Sequence, residues 1–213
     1  MNHAGHGSHG HGGHGHERHG HGSRDGGKRY GAPGERLRMP ERVALLEIPR
    51  VLDLGLAGLG MAEAAAAGTA PTVLDVGTGT GLFAEAFLGR GMKATGIDPN
   101  PDLLEAARRL VPGAVFQDGT AEHLPFPDRS FDVVMMSHVL HETDAPRDAL
   151  LEARRVARLR VLVLEWPYVD EDRGPPLAHR LRPSEIEDLA KSAGLVRIER
   201  IDLSHMQLYR LTP

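Results

Sequence analysis

The stretch that most narrows what this chain can fold into runs from Thr72 to Gly81, Thr-Val-Leu-Asp-Val-Gly-Thr-Gly-Thr-Gly. An apolar strand carrying Val73, Leu74 and Val76 runs into Gly77, Gly79 and Gly81, and a helical pattern from Leu82 to Leu88 follows. Strand, glycine-rich turn and helix in that order suit a nucleotide-type ligand. Glycine omits the Cβ where the backbone must turn sharply and lie against the bound group. Asp75 stands just before the turn. A second strand, Lys93 to Ile97, ends in Asp98, at the spacing where an α/β site places its ribose-binding carboxylate. Gly79, Gly81 and Ala84 also satisfy the looser dinucleotide pattern, so a nicotinamide site stays open on this stretch alone.

The rest of the chain alternates strand and helix patterns. Strands are expected at 72–76, 92–97, 114–117, 131–137 and 159–165, with helices near 81–90, 101–111 and 145–157. Such alternation implies parallel crossovers and a sheet covered on both faces. The runs Val133-Val134-Met135-Met136 and Val161-Leu162-Val163-Leu164 are continuously apolar, as strands buried on both faces must be. A helix opens at Pro183-Ser184-Glu185-Ile186 and stops before Gly194, and two last strands, 195–202 and 205–211, form a hairpin. Ligands of open α/β sheets bind beyond the carboxyl ends of the strands. Asp75, Asp98, Asp118 and Ser137-His138 all fall at such ends.

The glycine turn with Asp98, the segment from Gln117 to Phe126, and the strand Ser130 to His138 together resemble the class I S-adenosylmethionine-dependent methyltransferases. The likeness is greatest to the small-molecule branch that includes the ubiquinone and menaquinone methyltransferases, and it covers Thr72 to Glu165 best. It implies an α/β, Rossmann-like, seven-stranded and mostly parallel sheet with helices on both faces and a C-terminal antiparallel hairpin. It also implies S-adenosylmethionine as cofactor. By the resemblance, Gly77, Thr78, Gly79 and Gly81 form the turn under the methionine and ribose portions, and Asp75 orients that turn and reaches the methionine amino group. Asp98 takes the ribose hydroxyls, Pro99 and Asn100 lie against the adenine, and Asp118 accepts from the adenine amino group. Gly119, Thr120 and Ala121 offer backbone contacts to the ring, and Ser137 faces the cofactor. A turn role beside Gly119 is the alternative for Asp118.

Methyl transfer from a sulfonium needs positioning and desolvation more than covalent help. A base is required only where the acceptor must lose a proton. His138 and His141, in Ser-His-Val-Leu-His-Glu, are the candidates, since imidazole titrates near neutral pH. The alternatives are a cofactor contact at His138 and two polar residues at a helix start. Trp166 and Tyr168 follow the fifth strand, either lining the acceptor pocket or packing its rim, and His179 and Arg180 lie in the loop beyond. The Asn/Asp-Pro-Pro-Tyr/Phe signature of enzymes that methylate adenine or glutamine nitrogens is absent. The Pro-Gly-Gly that the branch often carries before the fifth strand is replaced by Val156-Ala157-Arg158-Leu159-Arg160.

Residues 1–34 are Gly- and His-rich, too poor in apolar residues to offset ordering entropy, and disorder is expected there. His3, His6, His9, His11, His14, His16, His19 and His21 suit Ni, Zn, Cu or Co; a purification tag or a neutral leader is the alternative. Residues 35–70 are expected to form N-terminal cap helices, with a break near Pro49, and 71–213 the cofactor-binding domain. The chain has no cysteine, which removes disulfides, thiolate metal sites and a thiol nucleophile. A net charge of -4 and no basic run interleaved with aromatics argue against a nucleic-acid partner. No run approaches the ~20 apolar residues of a membrane span, and no secretory signal is visible, so a cytoplasmic setting is expected. The leading expectation is a methyltransferase acting on a small-molecule acceptor. The alternative is a non-catalytic module of the same fold that holds the cofactor or a metal. The sequence specifies no oligomeric state.

Overall fold

The computed structural model describes residues 34–61 and 68–213. The eight tail histidines and most of the expected Ala-rich helix from Met61 to Ala67 therefore lie outside the described residues. Three short helices come first, α1 (Gly34–Leu37), α2 (Pro40–Leu45) and α3 (Ile48–Leu56). The alternating unit follows: β1 (Thr72–Val76), α4 (Leu82–Leu88), β2 (Lys93–Asp98), α5 (Pro101–Leu110), β3 (Val115–Asp118), β4 (Phe131–Ser137), α6 (Pro146–Val156) and β5 (Ala157–Glu165). Helix α7 (Pro183–Ser192) and strands β6 (Val196–Asp202) and β7 (Gln207–Thr212) complete it.

The seven strands form one sheet in the order β3-β2-β1-β4-β5-β7-β6. The first five are mutually parallel, and β7 runs antiparallel to both β5 and β6. The hairpin is thus present, with its second strand inserted beside β5 and its first left at the edge. The strand order reverses between β1 and β4, which opens a crevice at their carboxyl ends.

Successive residues of the central strands face opposite ways, and the core divides accordingly. Val73, Val133, Met135, Leu162 and Leu164 pack with α3, α4 and α5 residues such as Leu52, Phe87 and Leu104. Leu74, Val76, Val134, Met136, Val161 and Val163 pack on the other face with Leu150 of α6 and Ile186 of α7. The unbroken apolar runs of β4 and β5 follow from this double coverage.

Two local expectations shift. The break between α2 and α3 falls at Leu46–Glu47, not at Pro49, which occupies the first turn of α3. A first-turn proline removes a donor that would be unpaired anyway. Glu47 makes the break with a left-handed φ of 43°, and its carboxylate accepts from Ser204 N–H at 2.7 Å and Ser204 Oγ at 3.1 Å. No turn residue separates α6 from β5: Val156 ends the helix and Ala157 begins the strand. That is how the chain manages without a Pro-Gly-Gly there.

Candidate active site

The glycine turn is bound to the carboxyl end of β2. Thr78 N–H donates to Ile97 O at 2.9 Å, and Gly79 N–H donates to Asp98 Oδ2 at 2.8 Å. Gly77, Gly79 and Gly81 all have left-handed φ, at 66°, 55° and 80°. A Cβ on Gly77 would stand 2.6 Å from Val139 Cγ2. The glycine is needed there for both its conformation and its thinness.

Asp75, 2% exposed, sits inside the turn. Its Oδ2 accepts from Thr78 Oγ1 at 2.6 Å and Ala84 N–H at 3.2 Å. Burial raises its pKa to about 7; these hydrogen bonds oppose the rise and the charge of Asp98 adds to it. Asp98, 5% exposed, accepts Asn100 N–H on Oδ1 at 2.9 Å, besides Gly79 N–H on Oδ2. Burial raises its pKa too, against these bonds and with the Asp118 charge. Each oxygen retains a lone pair, the complement of two vicinal hydroxyls.

A cavity of about 550 Å³ opens at the strand ends. Of the expected residues, Gly77, Gly79, Asp98, Pro99, Gly119, Thr120, Ala121, Ser137, His138 and His141 line it. Asp75 and Thr78 line a smaller cavity that shares Leu37, Arg42, Gly77, Gly79, Ser137 and His138 with the first. Three expected residues line neither cavity. Gly81 is the N-cap of α4, and a Cβ there would stand 3.0 Å from the Phe116 ring. Asn100, expected against the adenine, instead caps α5, its Oδ1 accepting from Asp102 N–H and Leu103 N–H at 3.0 and 3.3 Å. Asp118 is exposed at the end of β3, in register with Asp98, and the chain beyond it, Gly119 to Glu122, forms the wall.

Beyond β4 the chain turns at His138, whose φ is 59°. Its N–H donates to Leu164 O at 2.8 Å, its ring stacks on Trp166 at 5.2 Å between centroids, and Nε2 lies 3.2 Å from Met206 Sδ. Burial lowers its pKa well below the usual imidazole value, and the charges of Arg42 and His141 lower it further, so His138 is neutral.

His141 is the opposite case. It is 6% exposed, with Nδ1 2.6 Å from Glu165 Oε2 and Nε2 3.4 Å from Glu142 Oε1. Burial depresses its pKa, but hydrogen bonds to Glu142 and Glu165 and their charges prevail and raise it to about 9. At neutral pH it is an imidazolium. A base that already holds its proton is not free to take one, so the expectation of a base is not met at His141 in this state.

Glu165 was not foreseen from the sequence. Its Oε1 accepts Leu140 N–H at 2.9 Å and His141 N–H at 3.4 Å, so one 2%-exposed carboxylate holds the whole turn after β4. The available signal was a carboxylate closing the apolar run Val161 to Leu164.

The N-terminal helices cover the cavity. Arg36, Leu37 and Arg42 line it, and Arg38 ties the segment to the glycine turn by donating to Thr80 O at 2.8 Å and pairing with Glu85 at 2.8 Å. Arg42 has no direct hydrogen bond or ion pair among the described residues; burial lowers its pKa and Glu142 opposes that. On the far side Trp166 forms a wall, with Gly174 against its ring and Arg180 over it at 5.4 Å. Arg180 staples the covering loop, donating to Pro175 O at 2.9 Å, Pro167 O at 3.0 Å and Arg173 O, and pairing with Glu171 at 2.8 Å. Tyr168, by contrast, lies outside the cavity, against Arg182. Among the described residues no group of three or more His, Asp or Glu side chains is placed to hold a metal ion, and no helix is long and apolar enough to cross a membrane.

Comparison with known proteins bears on the same segment. Residues 74–163 match the family model described as a methyltransferase domain. An uncharacterized methyltransferase of Mycobacterium tuberculosis is 38% identical over 103 residues, 48% of this chain and 42% of that protein. A demethylmenaquinone methyltransferase of Chlorobaculum tepidum is 38% identical over 89 residues, 41% of this chain and 37% of that protein. The chain thus spans about two fifths of the length of these curated relatives. Among solved structures, an S-adenosylmethionine-dependent methyltransferase from Aquifex aeolicus superposes with a TM-score of 0.69 at 24% identity, over 84% of this chain and 95% of that one. That likeness carries the fold alone.

Proposed function

We propose that residues 74–163, which match the methyltransferase-domain family model, form a class I, S-adenosylmethionine-dependent domain, and that the chain moves a methyl group from S-adenosylmethionine to a small-molecule acceptor by in-line displacement. The observation that carries this reading is Asp98. It is buried at a strand end, held by two backbone N–H groups, and faces a cavity large enough for a cofactor and an acceptor portion. In this reading Asp98 binds the ribose hydroxyls, and Pro99 with Gly119, Thr120 and Ala121 bounds the adenine. Arg42, which has no direct partner among the described residues and lines both cavities, meets the methionine carboxylate. Ser137 and the Gly77–Gly79 turn frame the sulfonium end. The bound cofactor supplies an already activated methyl. The protein's part is to align the acceptor and exclude water, which α1, α2 and the Arg180-stapled loop are placed to do.

Calorimetric titration with S-adenosylmethionine and S-adenosylhomocysteine tests this. Micromolar binding is expected, and Asp98→Ala should weaken it roughly 10- to 100-fold, as loss of hydrogen bonds to a charged group implies. Tight NADH binding with no affinity for the sulfonium compound would overturn it.

The tail histidines His3 to His21 are proposed as a separate Ni-, Zn-, Cu- or Co-binding leader, on their number and spacing alone. Metal titration of the full chain against a chain starting at Tyr30 reads this directly: equal metal uptake by both removes the leader role.

A further inference from the structure

The polar groups around the cavity are unequally committed. The carboxylates are mostly spent: Asp98 on two backbone N–H groups, Glu122 on Thr143 Oγ1, and Glu165 on three donors of one turn. The cations are not. Arg42 has no direct partner among the described residues, and the Nε2 of His141 faces only Glu142, at 3.4 Å, longer than a good charge-assisted hydrogen bond. Glu142 is the one carboxylate here with freedom to leave, since its side chain is 39% exposed and sits on the turn between β4 and α6.

A ligand that completes this wall must therefore bring acceptors, not donors. The cofactor's own carboxylate accounts for one cation, and Arg42, which also borders the small cavity beside Asp75, is the one on that side. His141 remains. Its ring cannot turn away, because Glu165 holds Nδ1 and the backbone N–H groups of Leu140 and His141 itself. The result is a fixed N–H donor with positive charge behind it, beside a neutral His138 stacked on Trp166. Rotating such a donor into place costs nothing at the moment of binding.

We propose that the acceptor is an anion, carrying a carboxylate or an ionised hydroxyl that displaces Glu142 and binds Nε2–H of His141. Glu165 is the positioning residue for that donor. This inference rests on the methyl-transfer reading above.

Trp166 is the only tryptophan of the chain and lies in the cavity wall, so its emission reports on the acceptor side. The full chain, saturated with S-adenosylhomocysteine, is titrated with benzoate, benzamide and benzylamine, one ring in three charge states. Benzoate is expected to change the emission saturably and to bind at least tenfold tighter than benzamide, with benzylamine the weakest. Glu142→Gln, a near-isosteric change at a partly exposed side chain, should tighten benzoate several-fold by removing its competitor, and His141→Gln should abolish the preference for the anion. Benzylamine binding as tightly as benzoate, no binding by any of the three, or weaker benzoate binding in Glu142→Gln overturns the proposal. Failure of S-adenosylhomocysteine itself to bind, measured first by calorimetry, would instead strike the methyl-transfer reading.

Discussion

His138 and His141 stand three residues apart, and their ring centroids are 6.1 Å apart, yet they are in opposite protonation states. His138 is half-buried, packed against Trp166 and Met206 with two cations nearby, so the charged form is penalised. His141 is buried but bracketed by two carboxylates. Its folded pKa of about 9 lies above the ~6.5 of a free imidazole. A raised basic group stabilises the fold fully below its unfolded pKa and loses that contribution as pH rises through the folded value. Thermal unfolding should thus show a loss of stability between about pH 7 and pH 10 that is much reduced in His141→Gln. Removing the partner is the harsher change: Glu165→Ala leaves the buried Nδ1–H of His141 and two backbone donors unpaired, a loss of about 3–5 kcal/mol, readable by urea denaturation. Asp75 acts in the same direction at lower pH. Its protonated form is favoured by burial, so its contribution declines as pH rises from about 4 through about 7. Gly77→Ala is expected to cost about 1–3 kcal/mol through its left-handed φ. It should also lower cofactor affinity, because the added methyl displaces Val139 from the cavity wall. Calorimetry and a melt on the same sample separate the two effects.

At the scale of elements, the cavity is a product of strand ends and of what is laid across them. Strands β1, β2 and β4 contribute the floor because the strand order reverses between β1 and β4. The covering parts are held by two arginines of different character. Arg38 reaches from the α1–α2 junction to Thr80 and Glu85 and is partly exposed, so its ion pair is worth at most about 1 kcal/mol. Arg180 has a buried side chain with four oxygen partners in the loop 167–176. Arg180→Ala should therefore release that loop: hydrogen exchange across 167–176 is expected to accelerate at least tenfold while exchange in β4 and β5 is unchanged. Unchanged protection in the loop would mean that Trp166 and Gly174 packing alone holds it.

For the molecule as a whole, the two core layers on the central strands make the sheet a rigid platform, and ligand binding should appear as a gain in global stability. A ligand present at 100 times its dissociation constant adds about 2.7 kcal/mol. For a chain of this size that corresponds to a rise of roughly 5–10 °C in Tm. S-adenosylhomocysteine should produce such a rise in the wild-type chain, and Asp98→Ala should lose most of it at the same concentration. An equal rise in both would show that the ligand binds elsewhere.

Most of the architecture was legible before any coordinates, for a local reason. Alternating strand and helix periods, unbroken apolar runs at 133–136 and 161–164, and glycines at 77, 79 and 81 are short-range patterns, and they place β1, β2, β4 and the turn within a residue or so. The carboxylate at Asp98 was likewise readable, because its spacing from the turn is set by one helix and one strand. What the linear order does not contain is the meeting of distant residues. Glu165 reaches Leu140 and His141 across a strand pair, Arg38 reaches Thr80, and Arg180 grips a loop ahead of it. The first of these contacts sets the charge state of His141. Two histidines three residues apart look alike in sequence; burial lowers the pKa of both, and they diverge because the charges that folding brings beside them, cations at His138 and carboxylates at His141, act in opposite directions. Asn100 makes the same point in reverse: its place after Asp98 suggested a ligand contact, but the start of α5 claims its side chain as a cap.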